Sequence, residues 1–221
     1  MLRGLFVTGT GTGVGKTAVA AAFMHRYRRE TPVRYWKPIQ TGAGEDDDTA
    51  EVERLGACDA GELFTQGVRL PRPVSPNLAA RLSGTTIAIA PLAESIEGAP
   101  DQRFWIVEGA GGALVPLNQH ELMVDLMVRL RLPVVVAART ALGTINHTLL
   151  TLEALRRRGL RVAGVVMVGD RHEENRAAIE AYGGVAVLGE MPFFAPLTPA
   201  ALERWALSEL DGDGRVMDWI E

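Results

Sequence analysis

The stretch Gly9-Thr10-Gly11-Thr12-Gly13-Val14-Gly15-Lys16-Thr17 holds the residues best suited to chemistry. It follows the apolar run Leu5-Phe6-Val7-Thr8 and opens a helical pattern over 16–29. Glycines between a strand and a helix let backbone N–H groups close around phosphate oxygens, and the helix start adds positive potential. Gly11, Thr12, Gly13, Val14 and Gly15 are therefore candidate phosphate-binding residues. Lys16 is placed to reach the β- and γ-phosphates of a nucleotide, and the Thr17 hydroxyl to hold Mg2+. The spacing departs from the common pattern, because Gly9 leaves five residues, not four, before Gly15-Lys16. A dinucleotide-binding reading of the alternating Gly9, Gly11 and Gly13 fails, since a lysine, not an acid, closes the second strand.

That lysine is Lys37. Of 23 basic residues only Lys16 and Lys37 are lysines, and both stand where a strand-like run ends. In a chain biased toward arginine, a retained lysine suggests a need for a compact ammonium on a flexible stem. Acids follow a similar logic. Glu108 closes the run Phe104-Trp105-Ile106-Val107, at the strand end where an Mg2+ contact is usual beside a phosphate loop. Asp46-Asp47-Asp48 lies just after the Lys37 loop, and one of the three is expected to complete the metal shell. Asp48 is chosen over Asp47 because it is expected to be the N-cap of a helix beginning at Thr49. No Gly-x-Ser-x-Gly is present, Cys58 has no neighbouring base, and His25, His120, His147 and His172 lack metal-ligand spacing. Covalent catalysis by the protein is not expected.

The elements that must position these groups alternate along the chain. Strand-like runs cover 5–8, 33–36, 104–107, 133–138, 162–168 and 185–188. Helical patterns cover 16–29, 49–55, 77–82, 122–130, 144–158, 173–182 and 198–210, and the Pro-rich stretch 66–76 reads as an irregular connection. The continuous apolar run 133–138 fits a strand covered on both faces. The pattern predicts a three-layer α/β fold, a mostly parallel sheet with helices on both sides, as one domain over 1–221. The 221 residues carry a net charge of −4 and a single cysteine, which argues against nucleic-acid binding and against a disulfide framework. With no long apolar segment, a cytoplasmic protein with no membrane role is expected.

Six segments occur in an order that closely resembles the dethiobiotin synthetase family. They are Thr8 to Thr17, Lys37-Pro-Ile-Gln-Thr-Gly42, Pro73-Val-Ser-Pro76, Val107-Glu-Gly-Ala-Gly-Gly112, Leu142-Gly-Thr-Ile-Asn-His147 and Gly189-Glu-Met-Pro192. The resemblance implies a P-loop NTPase-like fold and an ATP- and Mg2+-dependent cyclo-ligase that forms C–N bonds. It would join CO2 to 7,8-diaminopelargonate and release dethiobiotin, ADP and phosphate, in biotin biosynthesis. It further implies that Thr17, Asp48 and Glu108 hold the metal, and that Lys37 and Lys16 are the catalytic cations. Thr12, Lys37, Thr41, Ser75 and Pro76 would line the substrate. Gly143, Thr144, Ile145 and Asn146 would take the substrate carboxylate from a neighbouring subunit, which makes a homodimer with active sites at the interface. The chain has Gly13 where some members carry an acid, and Val168-Gly169 where some carry an adenine-reading Asn. Backbone near Pro192 and Phe194 is then expected to meet the base, and other nucleoside triphosphates are expected to serve. The rival reading is a nucleotide switch of the partitioning or iron-protein type.

Overall fold

A computed structural model describes residues 2–97 and 102–219. The strands are β1 (Gly4–Gly9), β2 (Val33–Trp36), β3 (Ile39–Thr41), β4 (Leu63–Phe64), β5 (Val68–Leu70), β6 (Phe104–Glu108), β7 (Val134–Arg139), β8 (Val162–Val168) and β9 (Val187–Met191). The helices are α1 (Lys16–Arg28), α2 (Asp48–Leu55), α3 (Pro76–Leu82), α4 (Ile89–Glu97), α5 (Met123–Leu130), α6 (Thr144–Arg156), α7 (Glu173–Gly183), α8 (Pro199–Ser208) and α9 (Arg215–Asp218). A 3-10 turn covers Ala60–Glu62.

Seven strands form one parallel sheet in the order β4-β2-β6-β1-β7-β8-β9. Alternate side chains along β1 serve opposite faces, as the pleat requires. Leu5 and Val7 join a core with Tyr35, Phe104, Ile106, Val135 and the apolar sides of α1, α2 and α8. Phe6 joins the other core with Trp36, Trp105, Val107, Val136 and side chains of α4, α5 and α6. Burial on both faces is why these strands read as unbroken apolar runs.

Parallel strands gather all their C-terminal ends on one edge. β2 lies beyond β6 on one side of β1 and β7 lies on the other, so the chain changes direction at β1 and a crevice opens there. The phosphate loop leaves β1 at that point. Gly15, the N-cap of α1, has φ 94°, and a Cβ there would sit 3.0 Å from Val168. Glycine is needed both for the left-handed backbone and for the close approach of β8.

Several expectations about elements are corrected. The stretch 66–76 is not wholly irregular, because Val68–Leu70 pairs in parallel with Ile39–Thr41 to form a second, two-stranded sheet. The last large strand is Val187–Met191 rather than 185–188, since Gly189 and the buried Glu190 lie inside it. The helix after Thr198 ends at Ser208, short of 210. α4 and α9 were not expected from the pattern. The helix expected from Thr49 begins at Asp48, and its N-cap is Asp47, not Asp48.

Candidate active site

β1, β2 and β6 deliver the ionisable groups. Lys37 follows β2, Glu108 ends β6, and Lys16 opens α1 straight after the loop that leaves β1. All three are buried, Glu108 completely. The Lys37 ammonium lies 2.7 Å from Glu108 Oε1, 2.7 Å from Asp48 Oδ2 and 3.1 Å from the Gly109 carbonyl. All three N–H donors of the ammonium are therefore engaged. Burial pushes the Lys37 pKa down, but the carboxylates of Glu108 and Asp48 outweigh it and hold it above the ordinary lysine range.

Lys16 behaves oppositely. Burial and the neighbouring Lys37 charge push its pKa down to about 8, against the opposing pull of Glu108 and Asp48. Its ammonium donates to the Gly11 carbonyl at 2.9 Å, turned back onto its own loop. The Thr17 hydroxyl lies 2.8 Å from Asp48 Oδ1 and 3.1 Å from Glu108 Oε1. Burial raises the Asp48 pKa, yet Lys37 and the Thr17 hydroxyl hold it below the usual carboxylate range.

Why Asp48 and not its neighbours faces this cluster follows from the start of α2. Asp47 caps the helix, accepting from the backbone N–H of Thr49 at 2.9 Å and Ala50 at 3.3 Å, and it pairs with Arg69 of β5. Asp48, one position on, is rotated inward to Thr17 and Lys37. Asp46 lines the mouth of the cleft.

The cleft around these groups has a volume of about 610 Å3. It brings together Thr12, Gly13, Gly15, Lys16, Thr17, Lys37, Thr41, Asp48, Ser75, Pro76 and Glu108. Gly11 contributes its carbonyl to Lys16, and Val14 packs below the loop in the core. Gly143, Thr144, Ile145 and Asn146 do not line the cleft. Gly143 caps α6 with φ 94°, Thr144 is buried, Ile145 packs toward the core and Asn146 faces out. Pro192 and Phe194 also lie outside it. Phe194 packs against the core, Phe193 is the exposed ring, and Leu197 of the same segment lines the cleft.

Two contributors escaped the sequence reading. Tyr35 is fully buried and donates to Glu108 Oε2 at 2.8 Å; burial and the facing carboxylate raise its pKa well above the usual phenol value. Gln40 donates to the carbonyls of Thr41 and Asp46 and accepts from Asp48 N–H, so it shapes the 41–48 loop from inside. Tyr35 stands two residues before Lys37, and that period-2 spacing was the available signal. Gln40, an amide inside Lys37-Pro-Ile-Gln-Thr-Gly42, carried none.

An Asp48 oxygen and a Glu108 oxygen both lie within hydrogen-bond reach of the Thr17 hydroxyl. Hard oxygen donors on a phosphate loop fit Mg2+, which keeps several waters and takes one or two carboxylates plus substrate phosphates. Among the described residues no cluster of three or more His, Cys, Asp or Glu offers a closed metal cage. The donor set thus suits an ion shared with a nucleotide.

The strand order, the glycine loop at the switch point and this converging site define a P-loop nucleotide-binding protein. A family model described as an AAA domain matches residues 3–201. The chain is similar to an ATP-dependent dethiobiotin synthetase of Paramagnetospirillum magneticum, with 48% identity over 91% of this chain and 93% of that one. It is similar to the corresponding synthetase of Agrobacterium fabrum at 43%, covering 90% of each. The chain belongs to the ATP-dependent dethiobiotin synthetase family. Solved structures share the fold at 13% identity. One is a ParA family ATPase of Chlorobium tepidum (TM-score 0.58, 93% of this chain and 98% of that one). Another is the MinC:MinD cell division complex of Aquifex aeolicus (TM-score 0.59, 98% and 96%).

Proposed function

We propose that the protein is an ATP-dependent ligase that closes 7,8-diaminopelargonate and CO2 into dethiobiotin, with ADP and phosphate as the other products. The family membership supports the reaction, and one observation carries the site: a buried ammonium, Lys37, clasped by Glu108 and Asp48 beside the phosphate loop. One substrate amine adds to CO2 and loses a proton, giving a carbamate. A carbamate oxygen attacks the γ-phosphorus and ADP leaves, forming a carbamic–phosphoric anhydride. The second amine attacks the carbamoyl carbon, loses its proton and expels phosphate, which closes the ring. The substrate supplies both nucleophiles, so the protein's part is positioning and charge.

Lys16 turns from Gly11 to the β- and γ-phosphates, and Lys37 gives up a carboxylate partner, as Asp48 and Glu108 take the metal, to hold the anionic carbamate. Thr41, Ser75 and Pro76 border the diamine, and Thr12 borders it from the phosphate loop. Thr17, Asp48 and Glu108 hold Mg2+, which when bound screens the charge of the transferring phosphoryl group. Backbone near Pro192 and Phe194 meets the base, which leaves room for triphosphates other than ATP.

We infer also a homodimer. Leu142 is fully exposed and Leu150 more than half exposed, both along the α6 segment whose start, Gly143 to Asn146, does not line its own cleft. A helix start suits a carboxylate, and here it is free to serve the neighbouring subunit's substrate. The whole chain is taken as one domain, because both cores pack on the same sheet. Among the described residues no helix is long and apolar enough to cross a membrane, and the reading is of a cytoplasmic enzyme. The partitioning-type switch is supported by fold likeness alone.

Incubation with MgATP, labelled bicarbonate and the diamine should yield labelled dethiobiotin. Lys37→Arg should lower product formation by at least about a hundredfold while MgADP still binds, because a planar fork cannot occupy the ammonium's place. Wild-type turnover in that variant would remove Lys37 from the chemistry.

A further inference from the structure

Arg139 is the last residue of β7, the strand that pairs with β1 where the phosphate loop begins. It is exposed, yet its guanidinium lies against that loop. Nε and Nη2 stand 3.1 and 2.5 Å from one acceptor, the Gly13 carbonyl. Gly13 has φ 69°, so its conformation is the left-handed one. In a trans peptide the C=O and the following N–H point to opposite sides. A Gly13 carbonyl bound by Arg139 therefore turns the Val14 N–H the other way, away from Arg139, and the residues on either side, Gly13 and Gly15, line the cleft. Anion binding by such a loop depends on its N–H groups already converging.

The backbone of Arg139 is itself anchored. Its carbonyl accepts from the buried Thr144 hydroxyl at the start of α6, and the next N–H, Thr140, bonds to Val168 of β8 at 3.2 Å. One residue thus ties the phosphate loop to the first turn of α6 and to the sheet.

We propose that Arg139 is a positioning residue that holds the Gly13–Val14 peptide in its phosphate-accepting orientation before a nucleotide arrives. The inference rests on the nucleotide site of the proposed function, and the control separates the two. Wild-type protein should bind MgADP by calorimetry; absence of that binding overturns the nucleotide reading and this inference with it. Given wild-type binding, Arg139→Ala should weaken MgADP by about tenfold and raise the KM for ATP with kcat nearly unchanged. The melting temperature without nucleotide should stay put, since the side chain is exposed. Arg139→Lys, which offers a point charge without the planar fork, should fall between the two. The slope of log Kd against log salt should match wild type, because the guanidinium acts on the loop and not on a phosphate. Unchanged MgADP affinity in Arg139→Ala overturns the proposal. So does a flattened salt slope, which would put the charge on the phosphate itself, or a loss matched by a lower unliganded melting temperature.

Discussion

Lys16 and Lys37 share one cleft but sit in opposite electrostatic balance. For Lys16, burial wins and the pKa drops to about 8. Between that value and the ordinary lysine range the unfolded chain binds more protons than the folded one. Stability contributed through this group therefore rises with pH across that window. Phosphate binding runs the other way on the proposed reading, in which Lys16 meets the phosphates as an ammonium. MgADP affinity should stay level below about pH 8 and weaken toward about tenfold per pH unit above it. Calorimetry between neutral and alkaline pH checks this, and Lys16→Ala should show a flat profile; a flat wild-type profile would mean that Lys16 never leaves Gly11 for the nucleotide. At this scale the sequence was most legible. Two lysines in an arginine-rich chain, and an acid at a buried strand end, name three members of the site. The choice among Asp46, Asp47 and Asp48 was less legible. Asp48 is the inward one, but the cap argument belonged to Asp47: one residue of helix turns a side chain by about 100 degrees, and the spacing alone does not say which residue is the cap.

At the scale of elements, α2 is the part that aims a site residue. Its cap, Asp47, accepts two backbone N–H groups and pairs with Arg69 on β5. Asp47→Ala should cost about 1 kcal/mol of folding stability, nearly all of it from the cap, because a half-exposed ion pair adds little. It should also weaken Mg2+ binding with nucleotide present, by loosening the first turn that carries Asp48. Urea denaturation and a metal titration measure both, and an unmoved midpoint would show that the cap is not what holds α2. β5 was hidden in the sequence because three residues between Gly67 and Pro71 give too little periodicity to register. β9 was misplaced because Glu190 looks unlike a strand residue. In the fold that carboxylate is buried but satisfied, accepting from Arg176 and His172 N–H. The start of α8 was plain, and Thr198 accepts from Ala201 N–H as a Thr-Pro opening suggests.

Across the whole molecule, the alternation of strands and helices conveyed the layer order, since unbroken apolar runs are what a doubly covered sheet demands. What pairwise patterns could not convey is which surfaces stay open. The exposed leucines of the α6 segment are such a surface. If the proposed dimer forms through them, Leu142→Asp should shift sedimentation toward a monomer and cut turnover by about tenfold or more, with nucleotide affinity kept. A variant that stays dimeric and fully active would place the subunit contact elsewhere. Lys37 has a consequence of its own for the fold. Two carboxylates crowded at a strand edge would ordinarily repel one another until an ion came. Here the chain brings a built-in counter-ion, so the pocket is electrically quiet at rest. On the proposed reading its folding need not wait on metal supply, and an ion arriving and departing with each nucleotide would leave the scaffold in place.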